Sequence, residues 1–303
     1  MKKILNFIFD NDNYDIDYSK LFSNIITGFA LLNIISVLPD IFILYSKNGI
    51  STDYINNLLI TDEKLSINNL TSFLSNYNIP YHFAFISIFM IYVISLIMVL
   101  FDYFRFLCSI IIVFLHGIII NTSPLTTYGV DFMISFLLYI NVFWSIKNYI
   151  SNDYYKLIFP FTIRLMQIQL CIIYFFGGIG KLLGFDWFDG NSIWLSMNLY
   201  MNDELLDVIA PYIPNVIYKL IALHILFSEL FFPLLVYYSK TKKWIIYNII
   251  ILHLGISFVI GLHTFSFCMI IFNIIAFYPN EFGNYINQIF KKKRSFSTNN
   301  LKI

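Results

Sequence analysis

Charge is scarce in this sequence. Only 12% of its 303 residues are Asp, Glu, Lys or Arg, and the formal net charge is +1. A soluble domain averages about 25% charged residues, so this chain cannot cover a water-facing surface. That excludes a soluble globular enzyme and a disordered chain. It also excludes a nucleic-acid binder, which carries clustered excess basic charge. Cysteine is scarce too. Cys108, Cys171 and Cys268 all lie in apolar runs, whereas a secreted disulfide framework places an even set in polar loops. They read as three buried thiols. Histidines and carboxylates show no metal-ligand spacing of the His-Glu-x-x-His kind, and no phosphate-cradling glycine loop opens a soluble helix. A cleaved leader is not expected either. The apolar run after Lys2 and Lys3 stops at Phe9 and passes into an Asp/Asn-rich stretch, short of the roughly 7–15 apolar residues that a signal core needs.

What the chain has in abundance is apolar bulk: 58% hydrophobic and 19% aromatic residues, with a mean hydropathy of +0.72. About eight runs approach the ~20 residues needed to span a bilayer. They cover 21–45, 81–101, 104–120, 131–146, 164–183, 216–238, 244–262 and 264–278. The bilayer core offers no water to backbone groups, so spans of this length are helices. They lack the alternation of a transmembrane barrel. The predicted fold class is therefore all-α, a polytopic transmembrane bundle. Its expected home is the cell membrane, the bacterial inner membrane, with the lipid bilayer as its first partner.

The loops give an orientation. With the N-terminus cytoplasmic and the spans alternating, fifteen of the 19 Lys and Arg collect inside. Lys47, Lys64, Lys181 and Lys219 remain outside. Positive charge is retained on the cytoplasmic side, which predicts N-in and C-in. Residues 1–19 are then a cytoplasmic segment, 20–283 the transmembrane domain and 284–303 a basic cytoplasmic tail, expected to be disordered from Lys291. Two outer loops are long. The 46–80 loop is expected to hold a short helix starting near Ser51 and capped by Ser51, Thr52 or Asp53. The 184–215 loop has no Lys or Arg but carries Asp186, Asp189, Asp203, Glu204 and Asp207.

Charged residues inside spans are expensive and often functional. Arg164 and Lys181 bracket the fifth run, about 25 Å apart at 1.5 Å per residue. This places Arg164 at the inner end and Lys181 at the outer end. Both can snorkel to headgroups; Arg164 can instead join Gln167 in a polar network. Around Lys181, Gly177, Gly178 and Gly180 remove side chains and permit close approach of a helix or a flat ligand. Apolar flanks favour the neutral amine, a usable general base. Lys181 thus reads equally as base or as interfacial anchor. Glu229, midway along the sixth run, needs protonation or a partner, and His224, His253, His263 and Arg164 are the candidates. His253 reads as a helix–helix hydrogen-bond group or a supporting polar residue.

These residues resemble a known family. Arg164-Leu-Met-Gln-Ile-Gln-Leu170, Tyr174, Gly178, Lys181-Leu182, Trp187 and Gly190 are similar to the HTTM (horizontally transferred transmembrane) domain, the membrane half of vitamin K-dependent gamma-carboxylases. Glu229 with Pro233, and His253 through Phe265, Ser266 and Met269 to Pro279, extend the likeness over roughly 20–280. The resemblance implies a catalytic Lys181 that deprotonates a membrane quinol. It further implies Gly177, Gly178, Gly180 and Trp187 around the quinol or substrate, with Arg164, Gln167, Glu229 and His253 as a supporting polar network. The chain departs from the carboxylases in having Gly180 before the lysine and no large extracytoplasmic domain after the last span. In this it looks like the short bacterial members of the sporulation-delaying protein B type, so carboxylation itself is not carried over. The expectation is quinol-dependent modification or maturation of a small secreted peptide. The alternative is a non-catalytic membrane partner, an export or immunity factor, for a peptide toxin. Nucleic acid is not an expected partner.

Overall fold

The computed structural model describes residues 14–50, 65–201, 204, 206, 208 and 212–300, with side chains described to 289. Every regular element among them is helical. The helix expected near Ser51 lies outside the described residues. In its loop the structure has a different helix, Ile67–Ser75, whose cap Ser66 accepts a hydrogen bond from the Asn69 backbone N–H.

Contacts gather into two compact units, Met1–Thr162 and Ile163–Ile303. The first contains α1 (Tyr18–Val37), which leads through a 3-10 turn into α2 (Ile41–Tyr45). It continues with α3 (Ile67–Ser75), α4 (Tyr81–Leu100), α5 (Arg105–Thr122) and α6 (Gly129–Ser145). Helix α1 packs on α4 and α6, α4 on α5, and α5 on α6. The buried faces are aromatic and aliphatic, centred on Phe22, Phe85, Phe89, Tyr92 and Ile112. One end of this unit collects cations. Lys20 pairs with Asp102, Arg105 Nε donates to Asp102 at 2.6 Å, and Lys147 Nζ donates to Asp17 at 2.8 Å. Arg105 is buried and also donates to Ser23 Oγ at 2.6 Å and Asn24 Oδ1 at 2.9 Å. The charge count put Lys20, Arg105 and Lys147 on one membrane face, and they do lie at one end.

Helix α7 (Asn152–Leu182) carries the chain from the first unit into the second. The second unit continues with α8 (Asp186–Asp189), α9 (Asn191–Tyr200), α10 (Asn215–Leu230), α11 (Phe232–Tyr237), α12 (Ser239–Ile260), α13 (His263–Phe277) and α14 (Pro279–Asn300). Helices α8 and α9 pack on α10, α11 packs on α12, and α12 packs on α13.

Six helical stretches among the described residues are long and apolar enough to cross a membrane. These are Tyr18–Tyr45, Tyr81–Leu100, Arg105–Thr122, Gly129–Asn148, Asn152–Leu182 and Ser239–Ile260. They coincide with the first five and the seventh of the predicted runs. The other two runs are shorter or broken as helices, and proline is the reason. Pro233 cannot continue a helix past the carbonyl of residue 229, so the sixth run divides into α10 and α11 at Phe231. Pro279 ends the eighth run, and α13 meets α14 at a 109° bend. Residues 291–300, expected to be disordered, differ as well. Proline at a first helical position presets the helical φ, and the backbone stays helical to Asn300.

The spanning helices are apolar on their outer faces too. Helix α4 leaves Phe83, Met90, Ile91 and Ile94 exposed. A helix that is apolar all round belongs in a core or in lipid. These helices suit a multi-pass membrane protein.

Candidate functional site

The site is assembled in the second unit. Helix α7 presents Gln167, Tyr174 and Lys181 at seven-residue intervals, two turns apart, and so on one face. Gly177 and Gly178 lie between the last two. Helix α10 meets this face at its final turn, where Glu229 precedes the break enforced by Pro233.

Lys181 Nζ lies 2.5 Å from Glu229 Oε2, with 22% and 10% of the two side chains exposed. The amine also sits 5.1 Å from the Trp187 ring centroid, within cation–π range. The expected partners of Glu229 are engaged elsewhere. His224 bonds Asn248 Oδ1 at 2.6 Å, His263 bonds Ser257 Oγ at 2.8 Å and His253 bonds Tyr174. Arg164 Nη1 donates to Gln167 Oε1 at 2.8 Å. The glycines explain why the pair can form. A Cβ at Gly177 would stand 3.0 Å from Glu229 Oε2 and 3.8 Å from Lys181 Nζ, so its absence clears room for the two charged groups. A Cβ at Gly178 would fall 2.6 Å from Leu230 N, so its absence lets α7 and α10 touch backbone to backbone. Gly180 faces nothing within 4 Å.

The pair also resolves a conflict of depth. The sequence put Lys181 at the outer end of its span and Glu229 in the middle of its own. Joined at 2.5 Å, they share one depth. Glu229 stands about 21 Å along α10 from Asn215 at 1.5 Å per residue. Lys181 stands at the C-terminal end of α7, partly enclosed by α10 and Trp187.

A second polar cluster occupies the same α7 face. Asn273 Nδ2 donates to Tyr174 Oη at 2.6 Å, leaving the phenol proton to point at His253 Nε2, 3.0 Å away. That arrangement puts the imidazole proton on Nδ1. His253 Nδ1 and Asn273 Oδ1 are buried and have no hydrogen-bond partner. One donor and one acceptor thus remain unspent around Tyr174. At the far end of the face, Gln167 Nε2 donates to the Ala276 carbonyl at 2.7 Å. The structure brings Lys181, Glu229, Trp187 and Gly177 into contact. It places Gln167 with Arg164 in a separate cluster, and His253 with Tyr174 in another. Asn273 was not singled out by sequence, because one asparagine in a run of isoleucine and phenylalanine carries no spacing signal. Among the described residues, no three His, Cys, Asp or Glu side chains converge as a metal site.

No family model matches this chain, and neither does any curated protein or solved structure. The HTTM resemblance therefore rests on the quoted motifs alone.

The pair brings two ionisable side chains into hydrogen-bond contact. An amine and a carboxyl at 2.5 Å can pass one proton between them. A lysine can act as a base once its proton has somewhere to go.

Proposed function

We propose that this chain is an eight-span membrane protein with both termini cytoplasmic, in which Lys181 and Glu229 perform acid–base work on an extracytoplasmic peptide. The observation that carries the reading is the 2.5 Å contact between two ionisable groups inside an apolar helical unit. Lys181 gives its proton to Glu229 and takes one from a weakly acidic group of the substrate. Trp187 and the α10 wall exclude water, which strengthens electrostatic interactions within the site. This role is consistent with the HTTM-like motifs. A flat quinol ring does not fit beside Gly177 and Gly178, because Glu229 and Leu230 fill that space. The open side of Gly180 is the remaining approach.

The test is mass spectrometry of secreted peptides from cells expressing wild type, Lys181→Ala, Lys181→Arg or Glu229→Gln. Arginine keeps the charge but does not shed a proton. Loss of a mass change in both lysine variants is expected; wild-type masses from both would overturn the base role. The filled glycine cradle favours a second reading, a non-catalytic partner for a secreted peptide. Co-purification of an unmodified peptide with wild-type protein would select it.

A further inference from the structure

A separate cavity of about 450 Å³ opens in the second unit, lined in part by Asp189, Asn191, Trp194, Asn215 and Tyr218. Tyr218, in its lining, stands about 16 Å along α10 from Glu229. Gly190 builds its corner. This residue has φ +91°, and a Cβ there would fall 2.5 Å from Lys219 N and 2.7 Å from Tyr218 C. Only glycine lets the α8–α9 turn press onto α10 in this left-handed conformation.

The cavity has a negative rim and an unsatisfied interior. Asp189 is exposed and held in place, its two carboxylate oxygens accepting from the backbone N–H and side-chain amide of Asn191 at 2.9 Å each. Among the described residues, no cation pairs with it and no Lys or Arg lines the cavity. Tyr218 is only 4% exposed, yet its hydroxyl has no hydrogen-bond partner. A buried polar group without a partner is uncommon and calls for an explanation. Trp194 stands edge-on to Tyr218, with ring centroids 5.6 Å apart. The first turn of α10 contributes about half a positive charge, which the full charge of Asp189 outweighs. Carboxylate, free phenol oxygen and indole together suit a cation that donates hydrogen bonds.

We propose that this cavity seats a primary ammonium group carried by an extracytoplasmic peptide, at its N-terminus or on a lysine side chain. Asp189 takes the charge, Tyr218 accepts a hydrogen bond and Trp194 flanks the cation. This deepens the function proposed above in naming how the peptide is held, and it rests on that reading for the side from which the peptide arrives. It makes no use of Lys181.

The test titrates the full-length protein in lipid nanodiscs with the tripeptide Gly-Phe-Ala amide, its N-acetyl form, N-acetyl-Lys-Phe-Ala amide, and spermidine. Both peptides bearing an ammonium should bind, and the form without one at least tenfold more weakly. Asp189→Asn should weaken binding about tenfold. Tyr218→Phe, which removes only a partnerless hydroxyl and leaves the fold intact, should weaken it several-fold. Equal binding of the N-acetyl form, failure of every probe to bind, or no effect of either variant would overturn the site. Spermidine binding without peptide binding would overturn the peptide as the source of the ammonium. If both lysine variants give wild-type peptide masses while Asp189→Asn still loses binding, the base role fails and this site stands.

Discussion

Gly177 and Gly178 are adjacent in sequence but have separate tasks. The first makes room for a charged pair and the second for a helix backbone. Gly178→Ala would place a Cβ 2.6–2.7 Å from the Leu230 backbone, which cannot turn aside. Overpacking of this kind costs about 1–3 kcal/mol, expected as a lowered denaturation midpoint in micelles. Gly180→Ala meets nothing within 4 Å and gains up to about 1 kcal/mol of helix propensity, so it should be neutral or stabilising in the same assay. The ion pair allows a double-mutant cycle. Lys181→Met or Glu229→Leu alone strands a buried charge, at a cost of about 3–5 kcal/mol. The double variant should cost less than either single one. The glycine cluster and the lysine were legible as a site because small residues beside a charge break the apolar pattern. The partner of the lysine was not. Which carboxylate reaches it depends on where α10 crosses α7, and that crossing is set by Leu230 seating against Gly178, a contact 52 residues apart that no local spacing encodes.

Helix ends in this chain are set by a few residues that act on the backbone alone. Pro233→Ala should join α10 to α11 and shift Glu229 away from Lys181. Disulfide trapping between cysteines placed at 181 and 229 would read this as slower cross-linking than in the same pair with Pro233 kept. The turn between α4 and α5 is held by charge. Asp102, at φ +68°, is paired with both Lys20 and Arg105. Burial works against its charged form, but the hydrogen bonds and charges of Lys20 and Arg105 more than reverse this and hold the carboxyl below its usual range. A carboxyl lowered by folding stabilises the fold above its unfolded pKa, and that stability disappears as pH falls through the folded value. With 39% of the side chain exposed, solvent screening keeps the effect to a fraction of about 1 kcal/mol. The acid-side decline in the denaturation midpoint should be shallower in Asp102→Asn than in wild type. The long runs were legible because twenty apolar residues in succession have few other structures open to them. The breaks in the sixth and eighth runs were not legible, since hydropathy continues through a proline while the hydrogen-bond ladder does not.

At the scale of the molecule, the clearest prediction concerns sidedness. Single cysteines at Lys147 and Lys243 should react with an impermeant maleimide only from the cytoplasmic face, and one at Lys219 only from the other. The apolar exterior of helices such as α4 made the membrane setting readable from composition. The division into two compact units was not, because it falls inside α7, an unbroken helix with no linker composition to mark it. The Lys181–Glu229 pair has a further consequence for biogenesis. The lysine leaves the ribosome 48 residues before the glutamate, so α7 is complete before its counter-charge is made. Only the later arrival of α10 cancels that charge. A nascent chain halted in between carries its lysine without that carboxylate, which distinguishes an unfinished chain from a completed one.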